Sequence, residues 1–365
     1  MTEQNIPTEP LRHWVDALWL AAGSSAEEAR LTADHLVGAN LAGHDSHGVG
    51  MLPRYVSSWQ ANELQLNQHV AISSDSGSML SVDGQRGMGQ VMAFEAMGLA
   101  IERAQRHGVC VMGLKNAHHI GRVGHWAEQA VAAGMVSVHF VNALSRPVVA
   151  PHGGREARFV TNPFTVGIPV RGREPVLLDF ATSAIAMGKV RVAFNSHKAV
   201  PPDCLIDADG RPTEHPGALF PAPDEPGGAL LPFGGHKGYA LALVCEILGA
   251  ALTGGETTRP ANLTQRFAVW NNMLTLVFDP ERMAAADVFG AEVNAYIEWV
   301  QSSALREGHT AILTPGDTER AWRQARAEVI PVDATTVAEL DQAALAVNQA
   351  CGSSLPSVSS LTLAG

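Results

Sequence analysis

The sequence predicts an α/β (α+β) protein: a mixed-sheet domain over residues 81–284, and a helical domain built from both chain ends, residues 1–80 and 285–365. Three observations predict it. Apolar residues recur at helical spacing near the N-terminus and again in the C-terminal third. Between them, short apolar runs alternate with amphipathic stretches, the pattern of buried strands with helical cover. No GxGxxG follows a strand, the nearest candidate being GMGQVM at 87–92, so the sheet carries no Rossmann fingerprint.

Taken in order, Leu11, Trp14, Val15, Leu18 and Trp19 mark a first helix. Ser25 followed by Glu28 has the form of a capping box, opening a second helix that runs through Leu36, Ala39 and Leu41 and stops at Gly43. Residues 89–107 read as an amphipathic helix ending at Gly108, and Val109 to Leu114 as a buried strand. A polar stretch, Lys115 to Gly121, leads into a helix from Val123 to Ala133, and Val136 to Val141 reads as the next strand. Two more strands are expected at Thr165–Val170 and Pro175–Phe180. Tyr239 to Leu252 is apolar almost all round, which predicts a buried helix. Helices over Phe289–Ser303, Glu319–Glu328 and Val337–Ala350 complete the chain, and the Ser-rich tail from Gly352 is expected to be mobile.

The bulk properties narrow the function. The 365 residues suffice for two compact units, and 46% hydrophobic with 17% charged residues is a globular composition. A net charge of −11, with no Lys/Arg run, argues against a nucleic-acid surface. Cys110, Cys204, Cys245 and Cys351 are scattered without a CxxC pair, as in a reducing compartment. The polar start MTEQNIPTEP lacks a basic and an apolar region, and Tyr239 to Leu252 is too short to span a bilayer. A soluble cytoplasmic protein with no membrane partner is the expectation.

Five polar clusters sit at predicted element ends, where sites usually lie: HDSHG at 44–48, NAHHIGR at 116–122, TNP at 161–163, LDFATS at 178–183 followed by Gly188-Lys189, and GGHKG at 234–238. A single histidine is ordinarily a buried or capping group, but histidines gathered in glycine-flanked loops favour a site. His44, His47, His118 and His119 have no zinc-finger or metalloprotease spacing, so no metal is expected; a metal-dependent hydrolase is the reading from another class. The GGHKG turn ahead of a helix suits a phosphate, with Lys237 adding charge. Lys189 and Arg191 could do similar work or simply be surface charges. No P-loop and no GxSxG elbow occurs.

These five clusters, in this order from Leu11 to about Ala350, resemble the type-2 malate/L-lactate dehydrogenase family, which includes ureidoglycolate and sulfolactate dehydrogenases and Δ1-piperideine-2-carboxylate reductases. The stretches ANLAGHDSHGVGM, HHIGRVGHWAEQ and LDFATSAIAMGK are similar to its hydroxycarboxylate dehydrogenase branch. The resemblance implies a non-Rossmann NAD(P)-binding fold, a homodimer with its active site near the subunit interface, and NAD or NADP bound in an extended groove. It implies that His119 is the acid/base and that His47, with Ser46, lies beside nicotinamide and substrate, with His118 in support. Gly121, Arg122, Val123, Leu178, Asp179, Phe180 and Ala181 would line the cofactor, His236 and Lys237 would meet its phosphates, and Asn271, Gly316, Asp317 and Glu319 match further contacts. Many relatives have an arginine where this chain has Met51; Arg54, Arg122 or backbone donors would then anchor the substrate carboxylate.

The implied reaction is NAD(P)H-dependent reduction of a 2-oxo acid to a 2-hydroxy acid, with phenylpyruvate, hydroxyphenylpyruvate or 2-oxoglutarate as substrate types. Reduction of Δ1-piperideine-2-carboxylate or its pyrroline analogue, and malate or lactate dehydrogenation, are the alternatives within the family. A histidine suits the proton transfer because its pKa of about 6.5 lies near neutral pH. Asp45 either orients an imidazole or caps a turn, and Asp179 on ribose hydroxyls would favour NAD.

Overall fold

A computed structural model describes residues 3–195, 197–222 and 225–363. A seven-stranded mixed sheet lies at its centre, in the order β2 (Ala71–Asp75), β3 (Met79–Asp83), β4 (Val109–His118), β11 (Trp270–Phe278), β5 (Val136–Leu144), β6 (Phe164–Ile168), β7 (Val176–Phe180). Only β3 and β4 pair in parallel, joined by α4 (Gly89–His107); the other neighbours are antiparallel. The central strand, β11, is buried at nearly every position and comes from a stretch for which the sequence predicted no element.

Helices α1 (Thr8–Ala22), α2 (Ala26–Leu41), α3 (Leu52–Gln60) and α10 (Ala334–Cys351) pack together, and β1 (Glu3–Pro7) pairs antiparallel with β12 (Val329–Asp333) to tie the chain ends. One continuous apolar cluster runs from these helices into α4 and the sheet, through Trp19, Leu36, Met92, Met112 and Met273. A second, smaller cluster lies under α6 (Met187–Asn195), the three short strands β8 (Leu205–Ile206), β9 (Pro212–Thr213) and β10 (Ala229–Leu230), and α7 (His236–Glu246). The remaining helices are α5 (Gly124–Ala132), α8 (Ala286–Gln301) and α9 (Asp317–Ala325).

Local sequence explains the element ends. Ser25 Oγ accepts from Glu28 N–H at 3.2 Å, capping α2. The other half of the expected capping box is absent: the Glu28 carboxylate instead accepts from Ser24 Oγ at 2.7 Å and Asn67 N–H at 2.9 Å, pinning a loop to the helix.

Two sequence expectations are overturned. The apolar stretch 239–252 is not buried all round: α7 continues into a π-helical turn, Ile247–Ala251, in which Ile247 is 49% exposed, and Leu252 beyond it is 63% exposed. Its inner face does pack, because Gly249 lies against the backbone of Phe140 and Asn142 with no room for a Cβ. The tail from Gly352 is not loose either. Trp14 Nε1 donates to Pro356 O at 2.8 Å, Asn348 Oδ1 accepts from Leu355 N–H, and Val358 is fully buried. Short Ser-rich sequence gave no hint of the apolar anchors Leu355 and Val358. No helix among the described residues is long and apolar enough to cross a membrane.

Candidate active site

The sheet ends put the motifs together. His118 at the end of β4, Trp270 at the start of β11 and Leu144 at the end of β5 are register partners, and Phe164 pairs with Phe180 on the same side. The NAHHIGR and LDFATS clusters therefore leave the sheet at one end, where HDSHG arrives as two short 3-10 turns after α2.

His119 is the hub. It is 9% exposed, and its Nδ1 lies 2.6 Å from the Tyr55 hydroxyl on α3. Gln90 Nε2 donates to the same hydroxyl oxygen at 3.1 Å. With Nδ1–H donating to the Tyr55 oxygen, the hydroxyl turns to His119 O at 3.4 Å and Nε2 is left free to accept a proton. The His47 ring stacks on that of His119 with centroids 5.6 Å apart and 18° between planes. Ser46 Oγ lies 3.0 Å from His47 Nδ1, and where the hydroxyl donates, Nε2 of His47 carries the ring proton. Burial is the main cause that lowers both imidazoles, His47 to about 4 and His119 well below the ordinary 6.5; neighbouring charge, His44 at His47 and His47 at His119, adds to it. Both rings are therefore neutral at pH 7.

The loop after His119 is held from three sides. Asn271 Oδ1 accepts from Ile120 N–H at 2.9 Å and its Nδ2 donates to Asn142 O. Trp126 Nε1 donates to Ile120 O, and His35 Nε2 accepts from Arg122 N–H at 2.9 Å. Gly121 sits at φ +72° with its α-carbon so close to His35 that a Cβ would fall 2.0 Å from Nε2, so only glycine serves there. His118 is 1% exposed and packs edge-on against Tyr55, and its ring nitrogens have no hydrogen-bond partner among the described residues.

Several expected site residues turn out to be committed to the protein. Arg122 is 3% exposed, pairs with Glu128 at 2.7 Å and lies 3.8 Å from Asp179. Asp179 accepts from Gly124 N–H and from Thr165 Oγ1, both at 2.8 Å, so both its oxygens are used. Asp45 binds Arg326 and Asn40 and touches no imidazole, so it is a structural brace. The TNP cluster is also structural: Asn162 bridges Ala143 N–H and the Glu246 carboxylate. Asp317 caps its own turn through Thr314 and pairs with Arg320.

Other expected groups remain open. Glu319 lies 3.3 Å from His44, whose hydrogen bond lowers it below the ordinary carboxylate range. Gly316 sits against Leu177, which places the start of α9 beside β7. Gly234 and Gly235 have φ of +56° and +62°, and nothing lies within 4 Å of where a Gly234 Cβ would be. Exposed His236 and Lys237 follow, opening α7. Phe180 meets Phe233 edge-on at 5.2 Å, so this turn is continuous with the end of β7. Such an open, glycine-lined helix start beside a cation fits the phosphates of a dinucleotide. Among the described residues, no three or more His, Cys, Asp or Glu come together as a metal site.

Tyr55 and Gln90 were not visible in the sequence. Neither lies in a motif, and their tie to His119 joins elements 64 and 29 residues apart.

A family model described as malate/L-lactate dehydrogenase matches residues 6–341. The chain is 49% identical over 328 residues to hydroxycarboxylate dehydrogenase B of Escherichia coli O157:H7, covering 89% of this chain and 90% of that one. It is also similar to two solved structures. For sulfolactate dehydrogenase from Methanocaldococcus jannaschii the TM-score is 0.84 at 30% identity, covering 96% and 98% of the two chains. For Δ1-piperideine-2-carboxylate reductase from Pseudomonas syringae pv. tomato it is 0.79 at 30% identity, covering 94% and 99%.

Proposed function

Since the chain belongs to the malate/L-lactate dehydrogenase family, and is thus an oxidoreductase of the hydroxycarboxylate dehydrogenase type, we propose that it reduces open-chain 2-oxo acids to 2-hydroxy acids with NADH or NADPH. Phenylpyruvate, hydroxyphenylpyruvate and 2-oxoglutarate are the substrate types. The observation that carries the proposal is the neutral His119 imidazole, held at Nδ1 by Tyr55 and stacked on His47. Assembly as a homodimer belongs to the same reading and is supported by the exposed apolar face at Leu243, Val244 and Ile247.

A reduced nicotinamide, when bound, supplies the hydride. The GGHK turn with His236 and Lys237 would hold the phosphates, and the loop Gly121 to Val123, Leu178, Phe180 and Ala181 would line the groove. For reduction His119 takes up a proton from solvent, gives its Nε2 proton to the oxygen that gains negative charge as the carbonyl carbon is reduced, and returns to the neutral ring with Nδ1–H on the Tyr55 oxygen. His47 Nε2–H, set by Ser46, donates a second hydrogen bond to that oxygen. In the reverse direction the neutral ring, protonated at Nδ1, takes the hydroxyl proton on Nε2.

Tyr55→Phe strips His119 Nδ1 of its partner while keeping the ring in place. Turnover is expected to fall ~10–100-fold, the cost of an unpaired buried polar atom and a freed tautomer. Steady-state kinetics with unchanged far-UV circular dichroism checks this, and undiminished kcat would remove Tyr55 from the site.

The test of the function is absorbance loss with NADH, and separately NADPH, across phenylpyruvate, hydroxyphenylpyruvate, 2-oxoglutarate, pyruvate, oxaloacetate and Δ1-piperideine-2-carboxylate. Oxidation of either cofactor by an open-chain 2-oxo acid is the expected result. Oxidation by the cyclic imine alone would move the chain to the second reading, which its similarity to the Pseudomonas syringae structure favours. No oxidation with any substrate would sink both.

A further inference from the structure

Met51, just before α3, is partly buried and packed against the apolar core, so it offers no charge to a carboxylate. A cleft of about 690 Å³ begins one turn further along the chain, between α3 and α10. Arg54, Arg191 and Arg266 line it, with Glu339 as its one lining carboxylate. Glu63, behind Arg266, is already taken by the N–H groups of Arg266, Phe267 and Ala268.

The cleft adjoins the catalytic centre on two sides. Arg54 precedes Tyr55, whose hydroxyl holds His119, and the charge of Arg54 acts on the His119 imidazole. Across the cleft, Gly188 packs directly on Ser46, and Arg191 lies one helical turn further along α6. Arg54 is held in place rather than neutralised: Nε donates to Phe267 O at 2.6 Å and Nη2 to Ser145 Oγ at 3.1 Å, both uncharged acceptors. The described residues offer neither Arg54 Nη1 nor the Arg191 guanidinium a hydrogen bond or ion pair. Two guanidinium groups facing one cleft repel each other, and a bound anion relieves that repulsion while accepting planar, charge-assisted hydrogen bonds.

We propose that Arg54 and Arg191 form the anion-binding wall of the substrate site, taking the carboxylate of the 2-oxo acid. This rests on the reading of the chain as a 2-oxo acid reductase. It also sets specificity: with no cation at position 51, the carboxylate sits toward the α3–α10 cleft, whose volume leaves room for a substrate larger than pyruvate.

The experiment compares Arg191→Gln and Arg54→Gln with the wild type. Arg191 is exposed and has no hydrogen bond or ion pair among the described residues, so its variant keeps the test sound even where loss of the Phe267 and Ser145 bonds unfolds the Arg54 variant. KM for the best 2-oxo acid should rise about 10–100-fold in each variant, as expected for a lost hydrogen bond to a charged group. By contrast kcat should stay within about threefold and NADH affinity unchanged. Calorimetric titration of oxamate, an irreducible mimic of a 2-oxo acid, into the enzyme with NADH reads the same wall without turnover. Binding to the wild type that weakens at least tenfold in Arg191→Gln supports the proposal. Equal binding, equal KM, or no oxamate binding to the wild type overturns it. A wild type that reduces no 2-oxo acid yet binds oxamate through Arg191 would instead break the functional reading and leave the anion wall standing.

Discussion

Replacing His119 by alanine is expected to lower turnover by ~10²–10⁴-fold while leaving dinucleotide affinity within a few-fold of wild type. The size follows from the role. A general acid that places a proton on the developing alkoxide contributes on that order, and the remaining donor, His47, can polarise the oxygen without being positioned by Tyr55. Affinity for the dinucleotide survives because the open GGHK turn and the β7 end are separate from this imidazole. Steady-state kinetics paired with fluorescence titration of NADH would measure both, and wild-type turnover in His119→Ala would remove the assignment.

The partnership with Tyr55 makes the prediction sharper. If Tyr55 acts through His119, adding Tyr55→Phe to His119→Ala costs little more, a strongly non-additive cycle. The pH profile carries the sign. Oxidation of a 2-hydroxy acid needs the neutral imidazole. Because burial holds His119 well below 6.5, kcat/KM for oxidation should stay flat as pH falls through 6.5, where an ordinary histidine would start to fail.

Helices were legible where an apolar stripe met a glycine stop, as at Gly43 and Gly108, and β4 and β5 where a short apolar run stood between helices. The strand β11 was not, although it is the centre of the sheet. Its first residues, Trp270-Asn271-Asn272, read as loop because asparagine rarely serves a strand. Here both amides are used to brace neighbouring segments: Asn271 holds Ile120 N–H, and Asn272 Oδ1 holds Asn116 N–H 156 residues away. Such long-range service leaves no local signature. The β1–β12 pair was hidden for the same reason, since a five-residue strand containing Ile6 is stable only against Ile330 from the other chain end.

At the site, motif order brought out His119, His47 and Ser46, and the structure brings those three together. What sequence could not tell was which polar side chains are spent. Asp179 and Asn271 look like ligands as residue types, yet each has given its oxygens to backbone N–H groups or a threonine. Conversely Tyr55, in a stretch for which no element was predicted, turned out to hold Nδ1 of the central imidazole.

The buried histidines should also make the fold acid-sensitive well above the usual carboxylate range. His35, His47, His118, His119, His125 and His139 are all lowered, in each case mainly by burial: His47, His125 and His139 to about 4 and His118 to about 3. A histidine with a depressed folded pKa binds its proton in the unfolded chain first. Its contribution is therefore complete above about pH 6.5, starts to be lost as pH falls below that, and is fully lost only once pH has passed the folded value near 4 or 3. Within that window each histidine removes at most about 1.4 kcal/mol per pH unit. Exposed His69, raised by its hydrogen bond to Glu95, works the other way but is a single surface group. Urea unfolding between pH 7.5 and 5 should accordingly show stability falling with a slope of more than one proton. His139→Gln, which keeps a polar group between Ser137 and Thr275, should reduce that slope by about one proton. A stability that stays level down to pH 5 would mean that these rings take up protons without unfolding, and that the site containing His119 is wetter than its burial indicates.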